Sequence, residues 1–79
     1  MSHWRRKAVV VEAWQFLPAG QCEELPDWID RKWFRDGHML IPAPAGMLRA
    51  EPGDWIIRSV KGDVYPCRPD VFAATYESA

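Results

Sequence analysis

The stretch PGDWIIRSVKGDVYPCRPDVF at residues 52–72 decides the fold that the sequence predicts. Turn signals at residues 52–54 (PGD) and 61–63 (KGD) enclose a run rich in β-branched and aromatic residues, which is typical of a strand. Glycine in the second turn supplies the positive φ that a tight hairpin needs. Pro69 then suits the start of a short helical turn over about residues 69–74. We therefore predict a hairpin that leads into a helical turn.

The opening segment at residues 7–16 (KAVVVEAWQF) also has the composition of a strand. Alternation along it places mostly apolar side chains on both faces, a pattern typical of a strand at the centre of a sheet. One face holds Val9, Val11 and Ala13, and the other holds Val10, Glu12, Trp14 and Phe16. The residues before it, 1–4, are expected to be a frayed start.

The only helical pattern in the first half of the chain covers about residues 26–35. Pro26 suits the first turn of a helix, where its missing N–H costs nothing. Ile29 and Trp33 follow at i, i+4 spacing and would pack on the sheet. We predict one main helix here, and the sequence leaves open whether it starts earlier, over residues 21–25.

Short apolar runs at residues 38–41 and 47–51 complete the predicted strands, and a loop with two prolines separates them. In the second half, Pro66 lacks a backbone donor and belongs at a sheet edge or a strand end. The fold class is therefore α+β. We expect a small curled antiparallel sheet, or a partly open barrel, of five to six short strands with the main helix against it. Residues 1–79 form a single domain, because so short a chain has no room for two cores.

The charge balance argues against one class of function. The chain has 10 basic and 11 acidic residues and a net charge of −1, whereas nucleic-acid binders normally carry a basic excess. A nucleic-acid partner is therefore not favoured. There is no apolar run of the length that spans a membrane and no secretory signal, so a cytoplasmic location is expected, without a membrane partner.

The residues that could carry chemistry do not form a recognisable set. The only thiol–imidazole pair worth naming is Cys67 with His38. The simpler interpretation is that Cys67 is a buried thiol and His38 an unrelated surface histidine. The cysteines and histidines lack the paired spacing of zinc sites, and no glycine-rich phosphate cradle is present. We therefore expect no enzyme activity, no catalytic residues, no metal and no cofactor.

Five tryptophans in 79 residues are the unusual feature of the composition. Most are expected to fill the core, but tryptophan is also over-represented at binding surfaces. The candidate interaction surface consists of Trp28, Trp33, Trp55, Tyr65, Arg5, Arg6 and Lys7. The four aromatic residues could instead line a small-molecule or nucleotide pocket between the helix and the sheet. The three basic residues could bind nucleic acid weakly, with Arg49 and with Trp4 stacking on a base.

The sequence resembles a family of short uncharacterised proteins of tailed bacteriophages and prophages. The resemblance rests on the pattern PGDWII, VKGD, YPCRPDVF and TYE within residues 52–77, and on RKAVVVEAWQF at residues 6–16. Residues 21–50 form the variable middle of the chain. The resemblance implies a phage or prophage origin, hence the cytosol of a bacterial host, and it brings no site residue with it.

These observations favour a phage or prophage accessory protein that acts by binding a host or phage protein. Counter-defence is one form that such binding takes, by analogy alone. A small-molecule or nucleotide-binding module is the first alternative, and weak nucleic-acid binding is the second. Homodimerisation through an exposed strand edge is a further hypothesis.

Overall fold

A computed structural model describes residues 2–6, 9–17 and 25–78 of the chain. Within them, eight strands form two antiparallel sheets, accompanied by one α-helix and one 3₁₀ turn. A five-stranded sheet has the order β7-β6-β2-β1-β8, and a three-stranded sheet has the order β3-β4-β5. The elements are β1 (Ser2–Arg6), β2 (Val9–Gln15), the 3₁₀ turn (Arg31–Trp33), β3 (Phe34–Arg35), β4 (His38–Ala43), β5 (Gly46–Ala50), β6 (Trp55–Arg58), β7 (Val64–Cys67), α1 (Pro69–Thr75) and β8 (Glu77–Ser78).

The strand at the centre of the large sheet is β2, as the sequence predicted. It pairs antiparallel with β1 on one side and with β6 on the other, placing Ala13 opposite Ile57 and Trp14 opposite Ile56. The end of β2 is tied to the turn before β6, because the Phe16 N–H donates to the carbonyl of Asp54 at 2.9 Å. The large sheet therefore has β6, β2 and β1 in its interior, between the edge strands β7 and β8.

One face of the large sheet is covered by α1. Val11, Ala13 and Ile57 of the sheet are buried together with Phe72 of α1 and Tyr76 just after it. Alternation along the strands brings these sheet residues to one face. The Phe72 ring stacks on Trp55 with the ring centroids 4.2 Å apart, a close offset contact that adds to the burial of apolar area.

The opposite face is covered by the three-stranded sheet. Its cluster of buried side chains combines both sheets with the segment before the 3₁₀ turn: Trp14, Phe16, Ile29, Met39, Ile41, Ala50 and Ile56. Phe34 of β3 closes this cluster, with its ring centroid 5.8 Å from that of Phe16 and the two rings nearly perpendicular. The large sheet is thus the middle layer between a helix and a smaller sheet.

The hairpin and the helical turn predicted for the last third of the chain are confirmed. β6 and β7 pair antiparallel, with Ile57 opposite Tyr65, and the turn between them has Gly62 at a φ of 92°. Pro66 lies in β7, which is an edge strand as its missing donor requires. The helical turn is α1, which has Pro69 at its start.

The α+β class is confirmed, but the main helix predicted over residues 26–35 is wrong. The Asp30 side chain accepts a hydrogen bond from the Lys32 N–H at 2.8 Å and begins only a three-residue 3₁₀ turn. Phe34 is already extended, with ψ at 136°, and pairs with Met39 in the small sheet. Pairing and burial of Phe34 have overridden local helix propensity.

Two further expectations are corrected by the structure, and a third concerns residues that lie mostly outside the described part of the chain. Residues 2–4 are not frayed but belong to β1, which pairs with β2. The described residues hold eight strands rather than five to six, and they form two separate sheets without a closed barrel. Of the segment 21–25, whose helicity the sequence left open, residues 21–24 lie outside the described part of the chain.

Because both faces of β6 are buried, truncating either of two adjacent side chains should destabilise the fold. Ile56 and Ile57 are both completely buried, so replacing either with alanine should lower the free energy of unfolding by about 2–5 kcal/mol. Urea unfolding followed by circular dichroism measures this change. Val71→Ala, at an exposed site on α1, is the control and should stay within about 0.5 kcal/mol of wild type. A small effect for one of the two isoleucines would contradict the layered arrangement.

Candidate functional site

An open groove with a largely apolar lining lies where the two sheets meet beside the β7 edge. It has a volume of about 490 Å³ and is open to solvent. One wall comes from the 3₁₀ turn and the β4–β5 hairpin, and the other comes from the β6–β7 hairpin. The lining residues are Trp33, Pro42, Ala43, Pro44, Leu48, Gly62, Asp63, Val64 and Tyr65. We call it the Trp33–Tyr65 groove.

Trp33 reaches the groove because it ends the 3₁₀ turn, where its N–H donates to the Asp30 carbonyl at 3.0 Å. The side chain is half-buried and packs against the core under the small sheet. In the part of the chain that the structure describes, no acceptor is recorded for its indole N–H. Trp33 therefore gives the groove an aromatic ring that is anchored on the core.

Tyr65 lines the groove from the β7 edge. Its hydroxyl lies 3.3 Å from the hydroxyl of Tyr76, so the ring is held against the side of the sheet that α1 covers. Val64, its neighbour in β7, faces the small sheet and packs against the core there. The groove wall formed by β7 is consequently fixed from both faces of the sheet.

Asp63 gives the groove its charge. Among the described residues that line the groove, it is the only Asp, Glu, Lys or Arg. Asp63 is also exposed to solvent. Its backbone is fixed by the hairpin, since its N–H donates to Ser59 Oγ at 3.2 Å and its carbonyl accepts from the Ser59 N–H at 2.8 Å. The groove therefore presents apolar and aromatic walls with one carboxylate at its rim.

The four aromatic residues predicted to form one surface do not lie together. Trp28 and Trp33 pack against the core under the small sheet, whereas Trp55 and Tyr65 pack against the core under α1. Trp55 is stacked on Phe72. The groove brings together only Trp33 and Tyr65, and the predicted pocket lined by all four residues is not formed.

Of the predicted basic residues, the structure describes the backbone of Arg5 and Arg6. Arg5 and Arg6 belong to β1, on the far side of β2 from β6 and β7, and Lys7 lies outside the described residues. Arg49, named with them, is exposed and forms an ion pair with Glu51. The Arg49 guanidinium holds the pKa of the Glu51 carboxyl below its usual value by hydrogen bonding, against a smaller opposing effect of desolvation.

Sequence reasoning missed the apolar residues that build most of the groove. Pro42 and Pro44 were interpreted only as loop residues that stay outside a ladder, and Leu48 only as part of a strand. Pro42 and Pro44 are exposed and Leu48 is half-buried. The sequence signal that could have found them is two prolines separated by one residue in a hairpin beside an aromatic edge.

Two smaller concavities adjoin the same hairpin turn, each of about 410 Å³. One contains the ion pair between Glu12 and Arg58, whose atoms Oε1 and Nη1 are 3.3 Å apart. Both are lined by Val60, which at 72% exposure is the most exposed large apolar residue described. They hold no aromatic pair that includes Trp33, and we take the Trp33–Tyr65 groove as the candidate site.

The two groups considered for catalysis belong to different sheets. His38 begins β4 in the small sheet, with Nδ1 3.1 Å from the Asp36 carbonyl, while Cys67 ends β7 in the large sheet. Partial burial, and then the charges of Asp54 and Asp70, raise the pKa of the Cys67 thiol. The second cysteine, Cys22, lies outside the described residues.

The described residues hold neither a candidate metal-binding group nor a candidate membrane-spanning helix. Among these residues, no group of three or more His, Cys, Asp or Glu side chains could hold a metal ion. In the same part of the chain, no helix has the length and apolar character to cross a membrane.

The raised pKa of Cys67 predicts slow reaction with thiol reagents. A Cys22→Ser variant isolates the Cys67 signal, and its reaction rate with a disulfide reagent such as dithionitrobenzoate can be followed against pH. Because the thiolate is the reacting form, the half-maximal rate should fall at a higher pH in the folded protein than in urea. Adding Asp70→Asn should lower that pH by less than unfolding does, since burial is the larger cause. A folded midpoint at or below that of the unfolded chain would refute this.

No protein-family model, curated protein or solved structure matches the chain. The inference of function therefore starts from the groove and from the residues that line it.

Proposed function

We propose that the chain is a phage or prophage accessory protein that acts by binding another protein, of the host or the phage, through the Trp33–Tyr65 groove. It works in the bacterial cytosol and without catalysis. The observation that carries the proposal is the groove itself: an open surface that is apolar, aromatic and fixed in shape, with one charge at its rim.

The composition of the groove supports a protein partner over a small molecule. Binding surfaces for proteins are enriched in tryptophan and tyrosine and depleted of charge at their centre. A nucleotide site would need donors for phosphate, such as glycine-rich loops or basic side chains. The described residues give the groove Asp63 at its rim and neither Lys nor Arg in its lining, so a phosphate would meet repulsion.

Exposed prolines in the lining also support this proposal. Pro42 and Pro44 are exposed and contribute little to the two buried clusters, which include neither of them. Rigid apolar residues at a solvent-facing site are costly to leave in water and are well suited to cover a partner's apolar side chains.

A comparative affinity capture tests the proposed function. The wild-type chain, Trp33→Ala and a control variant, Val71→Lys, are immobilised and exposed to bacterial lysate with and without phage infection. Val71 is exposed on α1, on the opposite side of the large sheet. A protein captured by wild type and by Val71→Lys should bind Trp33→Ala about 30-fold more weakly when it is purified and titrated, as expected for an aromatic hot spot worth about 2 kcal/mol.

Circular dichroism and thermal unfolding show whether Trp33→Ala is folded, since Trp33 also packs against the core. If it is not, Trp33→Phe replaces it, with a smaller expected loss. Capture that is equal for all three proteins, or the absence of any captured protein, would overturn the proposal. Stabilisation by a nucleotide in a thermal-shift screen, without a protein partner, would favour the small-molecule alternative.

A further inference from the structure

We infer that the segment bound in the Trp33–Tyr65 groove is a proline-rich peptide in the polyproline II conformation, with a basic residue placed against Asp63. This inference rests on the proposed function and names the chemistry of the partner. Three properties of the groove lead to it: the hydrogen-bonding capacity of the β7 edge, the Trp33 ring and the apolar residues around it, and the charge at the rim.

The β7 edge is poorly suited to the other common way of holding an extended peptide, which is to add it as a strand. The Ser59 N–H donates to the Asp63 carbonyl. Because hydrogen-bonded and non-hydrogen-bonded pairs alternate along an antiparallel ladder, the backbone groups of Tyr65 and Cys67 bond to β6. The backbone groups of Val64 and Pro66 then point away from β6, towards the open edge. Pro66 has no N–H. The edge thus offers one outward donor, from Val64, and strand addition depends on a regular series of donors and acceptors.

A polyproline II peptide needs no such series. It has no internal hydrogen bonds and exposes its carbonyls at about 3.1 Å per residue. Its rigid conformation lowers the entropy lost on binding, and aromatic-lined grooves bind it through ring–proline contacts with a few donors to its carbonyls. Trp33 supplies an anchored ring, Leu48 and the two prolines add apolar surface to the same wall, and β7 forms the other wall with Val64 and the edge of Tyr65.

The charge at the rim selects for a basic residue beside the prolines. Asp63 is the only Asp, Glu, Lys or Arg that the described part of the chain places in the lining, and it is exposed at the hairpin turn. The neighbouring Lys61 lines the two smaller concavities on the other sides of the turn instead of this groove. An arginine on the peptide can therefore approach the Asp63 carboxylate from the groove.

The direct test is an NMR titration of the ¹⁵N-labelled chain with acetylated, amidated hexaproline that carries one arginine at either end. The indole N–H signal of Trp33, assigned through Trp33→Phe, and the amide signals of residues 62–65 should shift. The indole signal of Trp55, stacked against α1 on the opposite face, should not. We expect saturation with a dissociation constant below about 1 mM for at least one of the two peptides.

A charge exchange separates the contribution of Asp63 from folding effects. The Asp63→Lys variant should bind the arginine peptide about threefold to tenfold more weakly than wild type does. The same variant should bind a hexaproline peptide with glutamate in place of arginine more tightly than wild type does. Asp70→Lys, at an exposed aspartate on α1, makes the same charge change away from the groove and should leave both affinities unchanged.

Three outcomes would overturn the inference. They are no saturable shift with either hexaproline peptide, equal binding of a peptide in which glycine and serine replace the prolines, and tighter binding of an alternating threonine–valine peptide, which indicates strand addition. These failures are distinguishable from failure of the proposed function. A captured protein that depends on Trp33 would uphold protein binding even if proline-rich peptides do not bind.

Discussion

The complete burial of two neighbouring side chains, Ile56 and Ile57, on opposite faces of β6 is the constraint on which the rest of the structure depends. Successive side chains of a strand point to opposite faces, so burying both requires a layer on each side of the sheet. The chain provides α1 for one face and a three-stranded sheet for the other. Each side chain contributes about 1.5–3 kcal/mol on burial, a large share of the stability of a domain this small.

The groove is a consequence of this layering. Two sheets that pack face to face without sharing a ladder leave a seam where the smaller one ends. Here the smaller sheet ends at the hairpin that carries Pro42 and Pro44, and the larger one ends at β7. Trp33 and Leu48 cover the inner part of the seam. The remaining opening leaves apolar surface exposed between the two walls.

The strands, the hairpin and α1 could be predicted because their signals are local. Alternation along residues 9–16 already implied a strand covered on both sides, and glycine and proline marked the turns. Residues 26–35 could not be assigned correctly, because the apolar spacing of Ile29 and Trp33 suits a helix as well as the observed turn. What decided between them was pairing of Phe34 with Met39, a tertiary contact that no local pattern reports.

The candidate site was only partly predictable, for a related reason. Trp55 and Tyr65 were grouped with Trp28 and Trp33 because all four are large aromatic residues. Which face each one takes depends on register: Trp55 aligns with Cys67, and Tyr65 aligns with Ile57, on the face that α1 covers. Sequence identifies aromatic residues, but the layer that buries each one is settled only when the sheets have formed.

The hairpin turn between β6 and β7 then links folding to binding. Three hydrogen bonds within it fix its backbone: the Ser59 N–H to the Asp63 carbonyl, the Gly62 N–H to the Ser59 carbonyl, and the Asp63 N–H to Ser59 Oγ. The Asp63 carboxylate is therefore carried on a rigid support while the residue itself remains exposed. A charge held in this way loses little entropy when it binds a partner. The same turn that sets the register of Ile57 against Tyr65 thus also sets the position of the one carboxylate in the groove.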